Sequence, residues 1–206
     1  MTASTTPVPR IPKAVAAAAV AWLSLAAVAG ATGFLARLPF PGPQLIILTL
    51  IAGTLVAGTS VRALRVWIDA LPLRVLVGIH AIRFIGITFL VLAARGQIAP
   101  VFAARAGWGD IATAALAIGL VASGDPFTRG RRLLYHAWNA FGLADLVVAV
   151  ETATVVVLQG TTPGMAPVLT LPLSLVPTFF VPLLMASHVF IFRRLLAAGR
   201  SFTVGR

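Results

Sequence analysis

The feature that most constrains this chain is an arginine in the middle of an oily stretch. Residues 73–94 read LRVLVGIHAIRFIGITFLVLAA, an apolar run whose only titratable side chains are Arg74, His80 and Arg83. At ~1.5 Å per residue a helix of this length matches the hydrocarbon core of a bilayer, about 30 Å thick. Arg83 falls about ten residues from either end, roughly 15 Å from each surface. A guanidinium at that depth costs at least ~2.5 kcal/mol unless it meets a partner. It cannot shed its proton to escape. Other helices must therefore bring an anion or a strong acceptor to Arg83.

The rest of the chain repeats the apolar pattern. Of 206 residues, 59% are hydrophobic and 10% are charged, with a mean hydropathy of +1.00. A soluble domain carries about 25% charged residues. The expected fold is all-α, a six-transmembrane-helix bundle over residues 14–198 with polar tails at 1–13 and 199–206. The expected spans are 14–35, 44–61, 73–94, 108–123, 133–158 and 171–192. Between the third and fourth, QIAPVFAARAGWG is too short and too mixed to cross, and reads as an interfacial or re-entrant segment. The first run, behind Arg10 and Lys13 and ending near Ala29-Gly30-Ala31, also has features of a signal peptide. Its continuation to Leu35 favours a retained span.

Basic residues orient the spans. With both termini inside, twelve fall on the inner side: Arg10, Lys13, Arg62, Arg65, Arg74, Arg129, Arg131, Arg132, Arg193, Arg194, Arg200 and Arg206. Only three, Arg37, Arg95 and Arg105, fall outside. That asymmetry is the positive-inside pattern. A net charge of +11 would suggest nucleic acid in a soluble chain. Here the charges flank apolar runs, so membrane lipid is the expected partner and nucleic acid is not. With no cysteine, disulfides, iron–sulfur clusters and thioether-linked haem are excluded.

The fifth span is the most polar, with His136, Asn139, Asp145 and Glu151. At about 100° per residue His136, Asn139 and Glu151 share a broad face, and Asp145 lies opposite His136. Such a helix belongs at the centre of the bundle. Asp145 lies roughly 18 Å from the inner end, the depth of Arg83, so the two should pair, with Glu151 as the alternative partner. In the sixth span Pro177 and Pro182 should free the carbonyls of Leu173 and Thr178. Ser174, Pro177, Thr178 and His188 share one face there. His80, His136 and His188 all fall in the inner half, which admits a b-type haem held by two of them, a proton relay, or simple interhelical hydrogen bonds. Retinal is excluded, because Lys13 is the only lysine. No GxSxG, HExxH or P-loop pattern occurs.

Three segments, IHAIRFIGITFLVLAARGQIAPVFAARAGWGD (79–110), WNAFGLAD (138–145) and LPLSLVPTFFVPLLMASHVFIFRRL (171–195), resemble an uncharacterised family of small bacterial polytopic integral membrane proteins. The resemblance implies a multi-pass protein of the bacterial cytoplasmic (inner) membrane. It also implies that positions matching Arg83, Asp110, Asn139 and His188 recur, while that of His80 can be Gln. It implies no activity.

Together these features lead to a buried polar site formed by the third, fifth and sixth spans. Arg83 would be an anion anchor or internal counter-ion and Asp145 its partner. Asn139 and His188 would line the pocket, with His80 and Glu151 as further candidates. The expected role is to bind, sense or move a small polar or anionic solute without catalysis, metal or cofactor. The rivals are a haem b redox protein using His80, His136 or His188, and a non-catalytic subunit or scaffold that meets a homo-oligomer or membrane-complex partner. Reporter fusions after Arg206 and at Thr162 should report opposite sides of the membrane; finding both on one side contradicts the six-span arrangement.

Overall fold

Prolines and glycines set the helix boundaries. The computed structural model describes residues 9–126 and 128–201, without the side chains of 198–201. Residues 1–8 and 202–206, parts of the expected tails, lie outside the described residues. Helix α1 (Lys13–Ala31) ends before Gly33, whose φ of 66° is left-handed and suits glycine. A single turn, α2 (Phe34–Arg37), follows, so the first span is shorter than expected. Helix α3 (Gly42–Ser60) has Pro43 in its first turn, where a missing N–H costs little. A short amphipathic helix, α4 (Arg62–Ala70), leads to α5 (Leu73–Ala94). Then come α6 (Pro100–Ser123), α7 (Arg129–Leu158) and α8, apolar over Val176–Ala197 and helical to Ser201. Among the described residues there is no strand, and six helices are long and apolar enough to cross a membrane.

Two expectations are corrected here. The segment at 97–109 is not a separate re-entrant piece, because Pro100 begins a helix that runs on through it to Ser123. Only its first residues form a turn, with Ala99 N–H bonded to the Gly164 carbonyl at 3.2 Å. Small residues permit the extension. Ala103 and Ala106 are buried, and a Cβ on Gly86 would lie 2.5 Å from the Gly107 carbonyl oxygen. Helices α5 and α6 therefore touch backbone to backbone. The second correction concerns the prolines of the last span. Helix α8 begins after Ser174, so Pro177 lies in its first turn and Leu173 keeps a donor, Val176 N–H at 2.9 Å. Only Pro182 interrupts the ladder. The Thr178 carbonyl it leaves takes the Trp22 Nε1–H at 2.9 Å, which ties α1 to α8.

Hydrogen bonds distinguish the two ends of the bundle. At one end Trp67 Nε1–H donates to Pro9 O at 3.3 Å, Arg193 pairs with Asp69, Arg194 donates to Leu71 O, and Arg74 pairs with Asp125 at 3.1 Å. This end carries the described basic residues assigned above to the inner side. The other end holds the 95–99 and 160–169 turns with Arg95. Apolar clusters fill each half: Leu76, Val77, Ala117, Trp138 and Ile191 toward the basic end, and Phe89, Phe102, Ala106 and Val156 toward the other. Between these two clusters α5, α6, α7 and α8 bring the buried polar residues His80, Arg83, Asp110, Asn139, Asp145 and His188 together.

Candidate functional site

Arg83 anchors this polar layer. It sits in a 3₁₀ stretch, Ile79–Ile85, longer than such stretches usually run. At three residues per turn, side chains at i and i+3 eclipse, so His80 and Arg83 both point inward, at 0% and 1% exposure. The guanidinium is used on three sides. Nε–H donates to Asp110 Oδ1 at 2.6 Å, Nη1–H to the Gly142 carbonyl at 2.9 Å, and Nη2–H to Asp145 Oδ2. The expected Arg83–Asp145 pair is present. The expected alternative, Glu151, is not in the site: it is exposed on α7.

Asp110 is the residue that sequence reasoning missed. It lies two residues into the span expected to begin at 108, but well inside α6, about ten residues or ~15 Å from Pro100 along the helix axis. The available signal was its place among the recurring positions of the family resemblance. One guanidinium thus faces two carboxylates, and with both ionised the charges sum to +1 − 2 = −1. Asp110 Oδ2 takes no hydrogen bond among the described residues. Asp110 is also among the residues that line a cavity of about 160 Å³.

Beside the triad, α8 presents a second polar group. Asn139 Nδ2–H donates to the His188 carbonyl at 2.9 Å, so Asn139 Oδ1 faces His188 Nδ1 at 2.8 Å and accepts its proton. Ser187 Oγ–H donates to Leu184 O at 2.8 Å, leaving its oxygen to accept from His80 Nε2–H at 2.9 Å. Trp138 packs edge-on to the His80 ring and tilted against that of His188, and donates Nε1–H to Thr113 O at 3.0 Å. A Cβ on Gly142 would lie 2.6 Å from His188 Cε1, so only glycine lets that ring and the Arg83-bound carbonyl share one turn.

The positions of His80 and His188 do not suit a haem held between the two. The His80 and His188 rings touch, with centroids 4.2 Å apart, leaving no space for a macrocycle between axial ligands. His136 is elsewhere, half-buried beside Phe192 at 6.1 Å. Among the described residues no group of three or more His, Asp or Glu could hold a metal ion.

The triad makes an asymmetric set of stability changes. Arg83→Leu strands two buried carboxylates and should cost about 3–5 kcal/mol in unfolding measurements on the detergent-solubilised protein. Asp110→Asn leaves a matched Arg83–Asp145 pair and should cost less than about 1.5 kcal/mol. Adding Asp145→Leu to Arg83→Leu should recover only part of the loss, and adding Asp110→Asn should recover more. Full recovery in the double variant would remove Asp110 from the network.

Comparison with protein families matches residues 40–196 to a domain of unknown function, DUF8737. No curated protein and no solved structure matches the chain. The match begins beside Pro41 and ends at Leu196 within α8, so it contains Arg83, Asp110, Asn139, Asp145 and His188 but not α1. The chain belongs to the DUF8737 family.

Proposed function

We propose that this chain is a multi-pass protein of the bacterial cytoplasmic membrane, with both ends of the described chain on the cytoplasmic side. Its polar layer would bind a small donor-bearing or cationic solute. Six long apolar helices and the collection of basic residues at one end support the placement. The charge of the triad supports the choice of solute. Arg83 already faces two carboxylates and a carbonyl of its own chain, so an incoming anion would have to displace an internal one. The anionic half of the expected solute class therefore loses its anchor, and Arg83 acts as the internal counter-ion. What the layer lacks is positive charge. A proton, an ammonium group or another donor at Asp110 Oδ2 would make up the deficit.

The helices that surround Arg83 and Asp110 also depart from regular α geometry. A 3₁₀ stretch holds Arg83, and π turns occupy Ala103–Gly107 before Asp110 and Val176–Phe180 at the start of α8. Such departures inside long helices are frequent at functional sites. They support a layer that carries or senses the solute rather than one that only locks helices together.

Thermal unfolding in detergent with simple ions tests the reading, because a ligand that binds the native state raises the transition temperature. Methylammonium chloride should stabilise the protein more than sodium chloride at equal ionic strength, and Asp110→Asn should abolish the difference. Stabilisation by sodium acetate that survives Asp110→Asn and is lost in Arg83→Lys would overturn the reading in favour of an anion site.

A further inference from the structure

The cavity above Asp110 has a shape and chemistry of its own. It lies between α3, α6, α7 and α8 and is roofed by residues from the 38–43 and 165–169 segments, at the end away from the basic cluster. Phe89, Phe102, Ala153 and Val181 are among its walls, and the polar residues lining it are Asp110, Gln44 and Thr154. Gln44 Oε1 is buried and without a partner. About 160 Å³ is close to the volume of the apolar cavity that, in an engineered lysozyme, accepts one benzene ring. A site for a fully hydrated inorganic cation would not be walled by aromatic and aliphatic side chains, since they offer nothing to replace its water.

We infer that this cavity is a binding site for a small lipophilic amine: one ring or a short alkyl body in the apolar chamber, and its ammonium on Asp110 Oδ2. The inference rests on the donor-site reading above and narrows it. The ammonium supplies the positive charge that the Arg83–Asp110–Asp145 group lacks, in surroundings where water does not compete for it. The apolar body fills space that the protein leaves open. Gln44 Oε1 stands ready for a second donor on the ligand, which would distinguish hydroxylated or diamine members of the class. Such amines partition into bilayers, so the chamber can be reached from the membrane or from the side away from the basic end.

Three probes of matched parts separate the contributions: benzylamine, toluene and methylammonium, each titrated into the full chain in lipid nanodiscs with transition temperature and calorimetry as readouts. Benzylamine should bind about tenfold or more tightly than either toluene or methylammonium. Asp110→Asn should reduce benzylamine binding to the level of toluene. Ala153→Phe fills the chamber without touching the triad, and should reduce it to the level of methylammonium; Ala149→Phe does the same from the next turn of α7 if the first variant folds poorly. Equal binding of benzylamine and toluene in the wild type would overturn the inference, as would benzylamine binding unchanged by both chamber-filling variants. If methylammonium binds through Asp110 as tightly as benzylamine, the chamber inference fails while the donor-site reading stands. If none of the three responds to Asp110→Asn, both fail.

Discussion

Everything central in this bundle depends on burying one guanidinium. Arg83 is permanently charged, so the surrounding helices must supply acceptors at its depth. Asp145 comes from α7, Asp110 from α6, and the Gly142 carbonyl from the turn between Asn139 and Asp145. Those contacts fix how α5, α6 and α7 are rotated about their axes. In a membrane, apolar surfaces have little preference for each other over lipid, so polar contacts and close packing select among arrangements that hydrophobicity leaves nearly equal. Here the selection is shared between Arg83 and the glycines. Gly86 and Gly107 bring α5 and α6 into backbone contact, and that approach carries Asp110 to the Nε side of the guanidinium.

The same constraint explains the layering. Apolar clusters above and below leave the polar side chains in one band, where each can reach a partner on another helix. His188 and Asn139 join α8 to α7, and His80 and Ser187 join α5 to α8. The partnering is nonetheless incomplete. His80 Nδ1, His188 Nε2 and Thr113 Oγ1 are buried without hydrogen bonds. A layer meant only to cement helices would gain from satisfying such atoms. An excess carboxyl group beside an apolar chamber is also a poor device for stability alone, and it is the combination of the two on which the proposed binding role rests.

Much of this was legible in the sequence, because the cost of an arginine buried in an apolar run is large and local. Length and hydropathy are enough to find six apolar helices, and matched depth is enough to pair Arg83 with Asp145. The misses have physical causes. Asp110 was hidden because Arg105, Gly107, Trp108 and Gly109 dilute the hydropathy before it, so α6 seemed to begin where it is in fact well advanced. His136 and Glu151 were drawn inward by following the polar positions of α7. Its packed face is Tyr135, Trp138, Asn139, Gly142, Asp145, Leu146, Thr152 and Val156, a mixed stripe that leaves His136 and Glu151 outside it. The partner of the Thr178 carbonyl, Trp22, is 156 residues away in sequence, and no local pattern announces it.

The central claim is that a single arginine is held between two carboxylates inside the bundle. Solid-state NMR on the protein in lipid bilayers tests it most directly, through carbon–nitrogen dipolar couplings between the Arg83 guanidinium nitrogens and the side-chain carboxyl carbons of Asp110 and Asp145. The account predicts both couplings, each lost when the corresponding aspartate is replaced by alanine. A coupling to Asp145 alone, or to neither, would contradict it.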